Sequence, residues 1–173
     1  MLSNTITKAL SDQISVEFYS AYLYLALSAR ADRMGFKGFA NWLHVQFQEE
    51  MAHALNMNRH ILERGAEPLY MPIDAPKFQS SSLKEMFEIV LGHEQSVTVK
   101  IGKLATLAMQ EDDHATYHFI SWYVNEQVEE EASAEEVLQN LINIKDNTAM
   151  LYVLDEKMAM RVFVNPFTQA SNA

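Results

Sequence analysis

The sequence contains no cysteine, which excludes disulfide bonds, thiolate metal ligands and cysteine nucleophiles. Glycine and proline are scarce, with five and four residues in a chain of 173, and proline does not occur in residues 1–67 or 77–165. No apolar run approaches the roughly 18 residues that a membrane-spanning helix needs. These shortages favour long α-helices in a protein that has no membrane partner.

Basic residues are also few, at 13 Lys and Arg against 23 Asp and Glu, and the net charge is −10. Nucleic acid is therefore not an expected partner, because its recognition needs clustered Lys and Arg. The acidic balance is compatible with binding cations. The first ten residues, MLSNTITKAL, lack the basic and then apolar build of a signal peptide. We therefore expect a cytoplasmic location.

Apolar residues recur at alternating steps of three and four, the spacing of one face of a helix. This periodicity predicts an all-α chain that forms a single domain over residues 1–173. Helices are predicted at about 4–32, 36–64, 83–110, 115–144 and 148–160, followed by a flexible tail at 161–173.

A glutamate interrupts each of the four long apolar stripes near its middle: Glu17, Glu50, Glu94 and Glu130. Buried carboxylates are unfavourable unless they are paired or bind a cation. Counted from a turn near Met34, the first two glutamates each lie about 17 residues away, roughly 25 Å along a helix. Counted from a turn near Asp112, the other two each lie about 18 residues away. Each antiparallel pair therefore places its glutamates at matching heights.

The segment at residues 65–82 holds three of the four prolines and separates the two helical pairs. An extended chain of this length can run the full length of a helix. We therefore predict a four-helix bundle with one long crossover connection and a short fifth helix at the C-terminus. The four glutamates then converge at the centre of the bundle.

His53 follows Glu50 by three residues and lies on the same helical face. Four carboxylates and one imidazole make an oxygen-rich donor set that suits iron or manganese, and two divalent ions would balance four negative charges. Glu50 is the natural bridging ligand because it lies beside His53.

Four motifs together resemble those of the ferritin family, most closely the bacterial non-haem ferritins. They are QISVEFYSAYLYLAL, FQEEMAH, HEQ and FISWYVNEQVEEE, which contain Glu17, Glu50, Glu94 and Glu130 respectively. The similarity extends over about residues 5–160 and implies a ferritin-like bundle. It also implies oxidation of Fe(II) to Fe(III) by O₂ at a di-iron ferroxidase centre, with hydrous ferric oxide deposited inside a homo-oligomeric cage of 24 subunits.

The resemblance also implies roles for individual residues. The first iron would be held by Glu17, Glu50 and His53, and the second by Glu50, Glu94 and Glu130 with Gln127 beside it. Tyr24 would act catalytically, through a hydrogen bond near the centre and as an electron donor. A third iron site would consist of Glu49, Glu126, Glu129 and the shared Glu130. Glu126, Glu129 and Glu130 lie on one helical face, where like charges repel without a cation.

Three alternatives stay open at this point. One is a haem-containing bacterioferritin, because Met51 stands where those proteins have their haem-ligating methionine. Haem is nevertheless not expected, since the place of the second Glu-x-x-His motif of bacterioferritins reads Gln127-Val128-Glu129-Glu130 and lacks the histidine. The others are a soluble di-iron oxidase that stores no iron, and a metal-free structural bundle.

This chain differs from animal ferritins at the pore on the three-fold axis of the cage. Animal ferritins have two carboxylates there, and Tyr117 and Ile120 take their places in this chain. An acidic turn at residues 111–113 is the candidate replacement for these carboxylates.

Overall fold

The computed structural model describes residues 1–145 and 147–168, and these residues form five α-helices. The helices are α1 (Asn4–Arg33), α2 (Lys37–Glu63), α3 (Leu83–Gln110), α4 (His114–Ile144) and α5 (Thr148–Met158). The predicted bounds of α3 match these, and those of the other helices differ by at most two residues. The predicted fold class, a four-helix bundle with a short fifth helix, is confirmed.

Side-chain caps mark where four of the five helices begin. The capping residues of α1, α3, α4 and α5 each accept a hydrogen bond from the backbone N–H three residues further on; they are Ser3, Ser82, Asp113 and Asn147. Between α1 and α2 the chain reverses at Gly35, where a φ of +91° favours glycine. This short turn makes α1 and α2 antiparallel neighbours.

The connection between α2 and α3 runs along α1. Near its start, the backbone N–H of Leu69 donates to Oγ of Ser11 at 3.0 Å, early in α1. Near its end, the Arg30 guanidinium donates to the Ser80 carbonyl at 3.1 Å, late in α1. The connection therefore passes from one end of the bundle to the other, and α3 begins at the same end as α2. This is the crossover that the sequence predicts.

Two apolar clusters fill the bundle, one on each side of a polar layer. On α1, Ile14 belongs to one cluster and Leu23 to the other, with Glu17 between them. On α3, Val90 and Val97 likewise belong to different clusters, with Glu94 between them. The helices α2 and α4 also contribute residues to both clusters. The interruptions of the four apolar stripes thus correspond to one buried layer of polar side chains at mid-height.

Part of the predicted flexible tail lies against the bundle. Residues 161–168 contact α2 and α4 through side chains such as Phe167, whose ring centroid is 4.7 Å from that of Trp122. These contacts involve aromatic and guanidinium groups whose partners no local periodicity reveals, and the flexibility of the tail stays a prediction. Residues 169–173 and Asp146, in the predicted turn before α5, fall outside the described residues. Within residues 1–145 and 147–168, no helix has the length and hydropathy to span a bilayer.

Candidate metal centre

Glu17 on α1 meets Glu50 and His53 on α2 in the polar layer. One donor atom from each of these three buried residues lies within 4.8 Å of the others. Nδ1 of His53 is 3.4 Å from Oε2 of Glu50, the contact expected for two residues three apart on one helix. The spacing of Glu50 and His53 and the equal heights of Glu17 and Glu50 thus produce one compact donor set.

Glu94 enters the layer from α3 and is held by two hydrogen bonds. The Tyr24 hydroxyl donates to one carboxylate oxygen, and Nε2 of Gln127 donates to the other at 3.1 Å. Tyr24 comes from α1 and Gln127 from α4, so both neighbouring helices fix the orientation of the carboxylate. Gln127, predicted beside the second iron, therefore orients Glu94 through its amide.

Glu130 of α4 completes the set of four glutamates and is 5% exposed. Nε2 of Gln46 on α2 donates to Oε2 of Glu130 at 2.7 Å. The negative charge of Glu130 raises the pKa of both Glu50 and Glu94, which places all these carboxylates in one electrostatic environment.

Burial and mutual repulsion oppose ionisation of these carboxyl groups. Burial, followed by the charges of Glu94 and Glu17, raises the pKa of Glu50 well above its ordinary value. Burial also lowers the pKa of His53, which favours the neutral imidazole that can ligate a metal. Nε2 of His53 is buried and has no hydrogen-bond partner among the described residues. Oxygen donors that repel one another, with an uncharged nitrogen beside them, fit divalent iron.

The same electrostatics predict how the stability of the metal-free protein depends on pH. Burial first, then the charge of Glu130, raises the pKa of Glu94 from 4.5 to about 8. A group with a raised pKa in the folded state stabilises the protein below its unfolded pKa, and this contribution is lost as pH rises through 8. We therefore expect the metal-free protein to melt at least about 5 °C lower at pH 9 than at pH 6 by calorimetry.

Glu94→Gln provides the control for this pH dependence, since glutamine keeps the shape of the side chain and does not titrate. The variant should show a smaller difference between the two pH values. Equal melting temperatures of the wild type at pH 6 and pH 9 would contradict the assignment of buried, repelling carboxylates.

Glu49 and Glu126, two of the residues predicted for a third iron site, are both influenced by the charge of Glu130. Burial raises the pKa of Glu49 to about 7, and the charges of Glu130 and Glu126 act in the same direction. Burial also raises the pKa of Glu126 to about 7, with Glu130 and Glu129 contributing. Glu129 is more exposed than the other three. These shifts tie Glu49 and Glu126 electrostatically to Glu130, and the third iron site itself stays a prediction.

Several polar partners in the centre are absent from the sequence prediction. Gln13 donates to Glu17 at 2.9 Å, and Gln46 donates to Glu130. The signal for Gln13 is its position four residues before Glu17 on the same face. Gln46 contacts Glu130 across two helices, so no local spacing indicates the pair. Arg161, which binds Glu49, is a third such residue.

The structure separates the residues considered for a pore. Ile120 is fully buried in the bundle, and Tyr117 is exposed on α4. Of the acidic turn, Asp113 caps α4 and accepts a hydrogen bond from Arg64 at 3.0 Å. Asp113 therefore has a capping role, while Glu111 and Asp112 are exposed, and the pore assignment of this turn stays a prediction.

A crossed-over four-helix bundle with carboxylates and a histidine at its centre defines the ferritin-like class of metal-binding bundles. A family model of the ferritin-like domain matches residues 7–144. A bacterial non-heme ferritin of Staphylococcus aureus (strain MRSA252) is 37% identical over 94% of this chain and 98% of its own. One from Staphylococcus saprophyticus is 39% identical over the same shares.

Solved structures agree with these sequence relatives. A closed form of the Archaeoglobus fulgidus ferritin, engineered by mutagenesis, superposes with a TM-score of 0.93 at 43% identity, covering 95% of this chain and 100% of that one. The open-pore ferritin from the same archaeon gives a TM-score of 0.91 at 43% identity, covering 93% and 98%. The chain belongs to the ferritin family.

Proposed function

We propose that this protein is an iron-storage ferritin with ferroxidase activity. It oxidises Fe(II) to Fe(III) with O₂ and deposits hydrous ferric oxide inside a cage of 24 subunits. The observation that carries this proposal is the buried cluster of Glu17, Glu50 and His53 in a ferritin-family chain. Iron is the substrate and the stored cargo. The cytoplasmic location stays a prediction.

The proposed roles follow from where each donor lies. Glu17, Glu50 and His53 hold one Fe(II), and Glu50, Glu94 and Glu130 hold the other. Glu50 is the proposed bridge because the charges of Glu94 on α3 and Glu17 on α1 are, after burial, the two strongest influences on its pKa. Each iron gives up one electron, and O₂ receives both. The protein holds the two metal ions together and excludes other ligands from the buried layer.

We place a third iron at Glu49, Glu126, Glu129 and the shared Glu130. The support is electrostatic, since burial and repulsion raise the pKa of Glu49 and Glu126 to about 7, and a cation would relieve both.

Cage assembly is supported by apolar side chains that a single subunit leaves exposed on α1 and α5. They include Tyr22, Leu25, Met150, Tyr152 and Val153. Exposed apolar surface of this kind marks interfaces between protein chains. The subunit mass is 19.8 kDa, and 24 copies would have a mass of roughly 475 kDa.

Native mass and iron content measured on one sample test the proposed function. After Fe(II) is added in air, we expect a species near 475 kDa that carries far more iron than its binding sites can hold. A dimer with two or three irons per subunit would instead indicate a non-storing oxidase. A Soret band would indicate bound haem, for which Met51 is the candidate ligand.

Tyr24→Phe should slow the oxidation of Fe(II) by about tenfold without abolishing it, because groups that orient metal ligands typically contribute tenfold or more. The substitution removes the hydroxyl that donates to Glu94. Stopped-flow absorbance of the ferric product measures the rate. Tyr70→Phe is the matched control, since it also removes a hydroxyl that donates a hydrogen bond, to Asn58, at an exposed position. Equal rates for Tyr24→Phe and the wild type would remove Tyr24 from the mechanism.

A further inference from the structure

Arg161 follows α5 and extends its side chain into the group of carboxylates beside the dinuclear cluster. Its Nη2 donates to Oε2 of Glu49 at 2.6 Å. The Arg161 and Glu49 side chains are 25% and 18% exposed, so water screens this ion pair less than one on the open surface. A charge-assisted hydrogen bond in such surroundings is among the stronger polar contacts of a protein.

Contacts with α2 hold Arg161 in this position independently of Glu49. The guanidinium carbon lies 4.6 Å from the centroid of the Trp42 ring, in the geometry of a cation–π interaction. Asn41 donates to the carbonyl of Arg161 at 2.9 Å and to that of Ala159 at 3.3 Å. The backbone and the cationic group are therefore both fixed on the face of α2 that carries Glu49.

The Arg161 guanidinium forms an ion pair with Glu49, one of the residues assigned to the third iron. The second terminal nitrogen of the guanidinium, Nη1, is buried and has no hydrogen-bond partner within the part of the chain that the structure describes. A positive charge thus lies among the residues assigned to a third iron.

We propose that Arg161 is a tethered cation that competes with the third metal ion for Glu49. This inference rests on the proposed third site. A metal ion that takes the Glu49 carboxylate must displace the guanidinium, so the third site binds more weakly than the dinuclear centre. Iron therefore fills the oxidation centre first.

Zinc titration of the metal-free cage by isothermal calorimetry tests this competition, because Zn(II) binds carboxylate and histidine sites without redox chemistry. The first two equivalents per subunit report the dinuclear centre, and the third reports the site at Glu49. In Arg161→Gln, we expect the third equivalent to bind about ten- to a hundredfold more tightly than in the wild type, the range for a hydrogen bond to a charged group. The first two equivalents should be unchanged.

Two further variants separate competition from other effects. Lys157→Gln removes one positive charge nearby, at an exposed side chain paired with Glu136, and should leave the third equivalent unchanged. Adding Glu49→Gln to Arg161→Gln should abolish the tighter binding of the third equivalent. The inference would be overturned if Arg161→Gln did not bind the third equivalent of Zn(II) more tightly than the wild type. It would also be overturned if Lys157→Gln tightened this binding equally, or if the tighter binding persisted after Glu49→Gln was added. If the wild type did not bind the first two equivalents of Zn(II), the proposed ferroxidase centre would be overturned instead.

A fluorescence measurement tests displacement without changing Arg161. Trp42 and Trp122 are the two tryptophans of the chain, so Trp122→Phe leaves Trp42 as the only reporter of the cation above its ring. The emission of Trp42 should change as the third equivalent of Zn(II) binds. Emission that stays constant through the third equivalent would show that Arg161 does not move, and would contradict the competition.

Discussion

Replacing Glu50 by Gln and His53 by Ala in one variant is expected to abolish the fast phase of Fe(II) oxidation. Both side chains belong to the compact donor set, and Glu50 is the proposed bridge between the two metal ions. We expect the initial rate to fall by about a hundredfold or more, because even residues that only orient metal ligands contribute ten- to a hundredfold. Stopped-flow absorbance of the ferric product, with Fe(II) at two equivalents per subunit, measures this rate.

A matched control uses the same residue types on the same helix. Glu63 and His44 are exposed residues of α2, and the Glu63 carboxylate is 3.6 Å from Arg59 at the surface. Glu63→Gln with His44→Ala should keep the fast phase. Persistence of the fast phase in Glu50→Gln/His53→Ala, or its loss in the control, would refute the site assignment.

The melting temperature of the Glu50 variant gives a second readout that does not depend on oxidation. Burial and three neighbouring carboxylates raise the pKa of Glu50 in the metal-free protein, so its charge is unfavourable there. Glu50→Gln should therefore raise the melting temperature of the metal-free protein at pH 9. This increase distinguishes lost metal ligands from a damaged fold, which would lower the melting temperature.

The bundle and its central layer could be predicted because both depend on regular geometry. A helix rises by a fixed amount per residue, so the distances of Glu17 and Glu50 from one turn determine their relative height. The interrupted stripes then appear in the structure as two apolar clusters with a polar layer between them. Glu94 and Glu130 follow the same rule around the second turn.

The partners of the carboxylates could not be predicted in this way. The contact of Gln46 with Glu130 joins two helices whose relative rotation depends on packing of the whole bundle. The contact of Arg161 with Glu49 joins residues distant in sequence, through a segment with no helical periodicity. Such contacts leave no local pattern, because the fold and not the spacing brings the two groups together.

The docking of α5 on α2 also depends on a contact between residues that are distant in sequence. Phe36, at the N-cap position of α2, makes no capping hydrogen bond through its side chain. Instead, the Asp155 carboxylate of α5 accepts a hydrogen bond from the backbone N–H of Phe39 at 2.9 Å. A carboxylate at this end of a helix also interacts favourably with the helix dipole. Asp155 thus caps a helix that lies far from it in sequence.

Gly38 allows this close approach. A Cβ atom at Gly38 would lie 1.6 Å from the backbone oxygen of Asp155, a distance that no side chain can tolerate. Gly38→Ala must therefore displace α5 and break the bond between Asp155 and Phe39. We expect the melting temperature of the metal-free protein to fall by roughly 5–15 °C, from overpacking and a lost cap. Trypsin should also cleave faster after Lys157, which lies on the displaced helix.

Gly92→Ala and Gly102→Ala are the matched controls, because both glycines lie within α3 and a Cβ at either position would meet no atom within 4 Å. Alanine lowers the free energy of an exposed helix position by about 0.5–1 kcal/mol relative to glycine. These variants should therefore melt at or slightly above the wild-type temperature. If Gly38→Ala melted at the same temperature as these controls, α5 would not be held against α2 as the structure places it. The position of Arg161 beside Glu49 would then lose its support, because Arg161 directly follows α5.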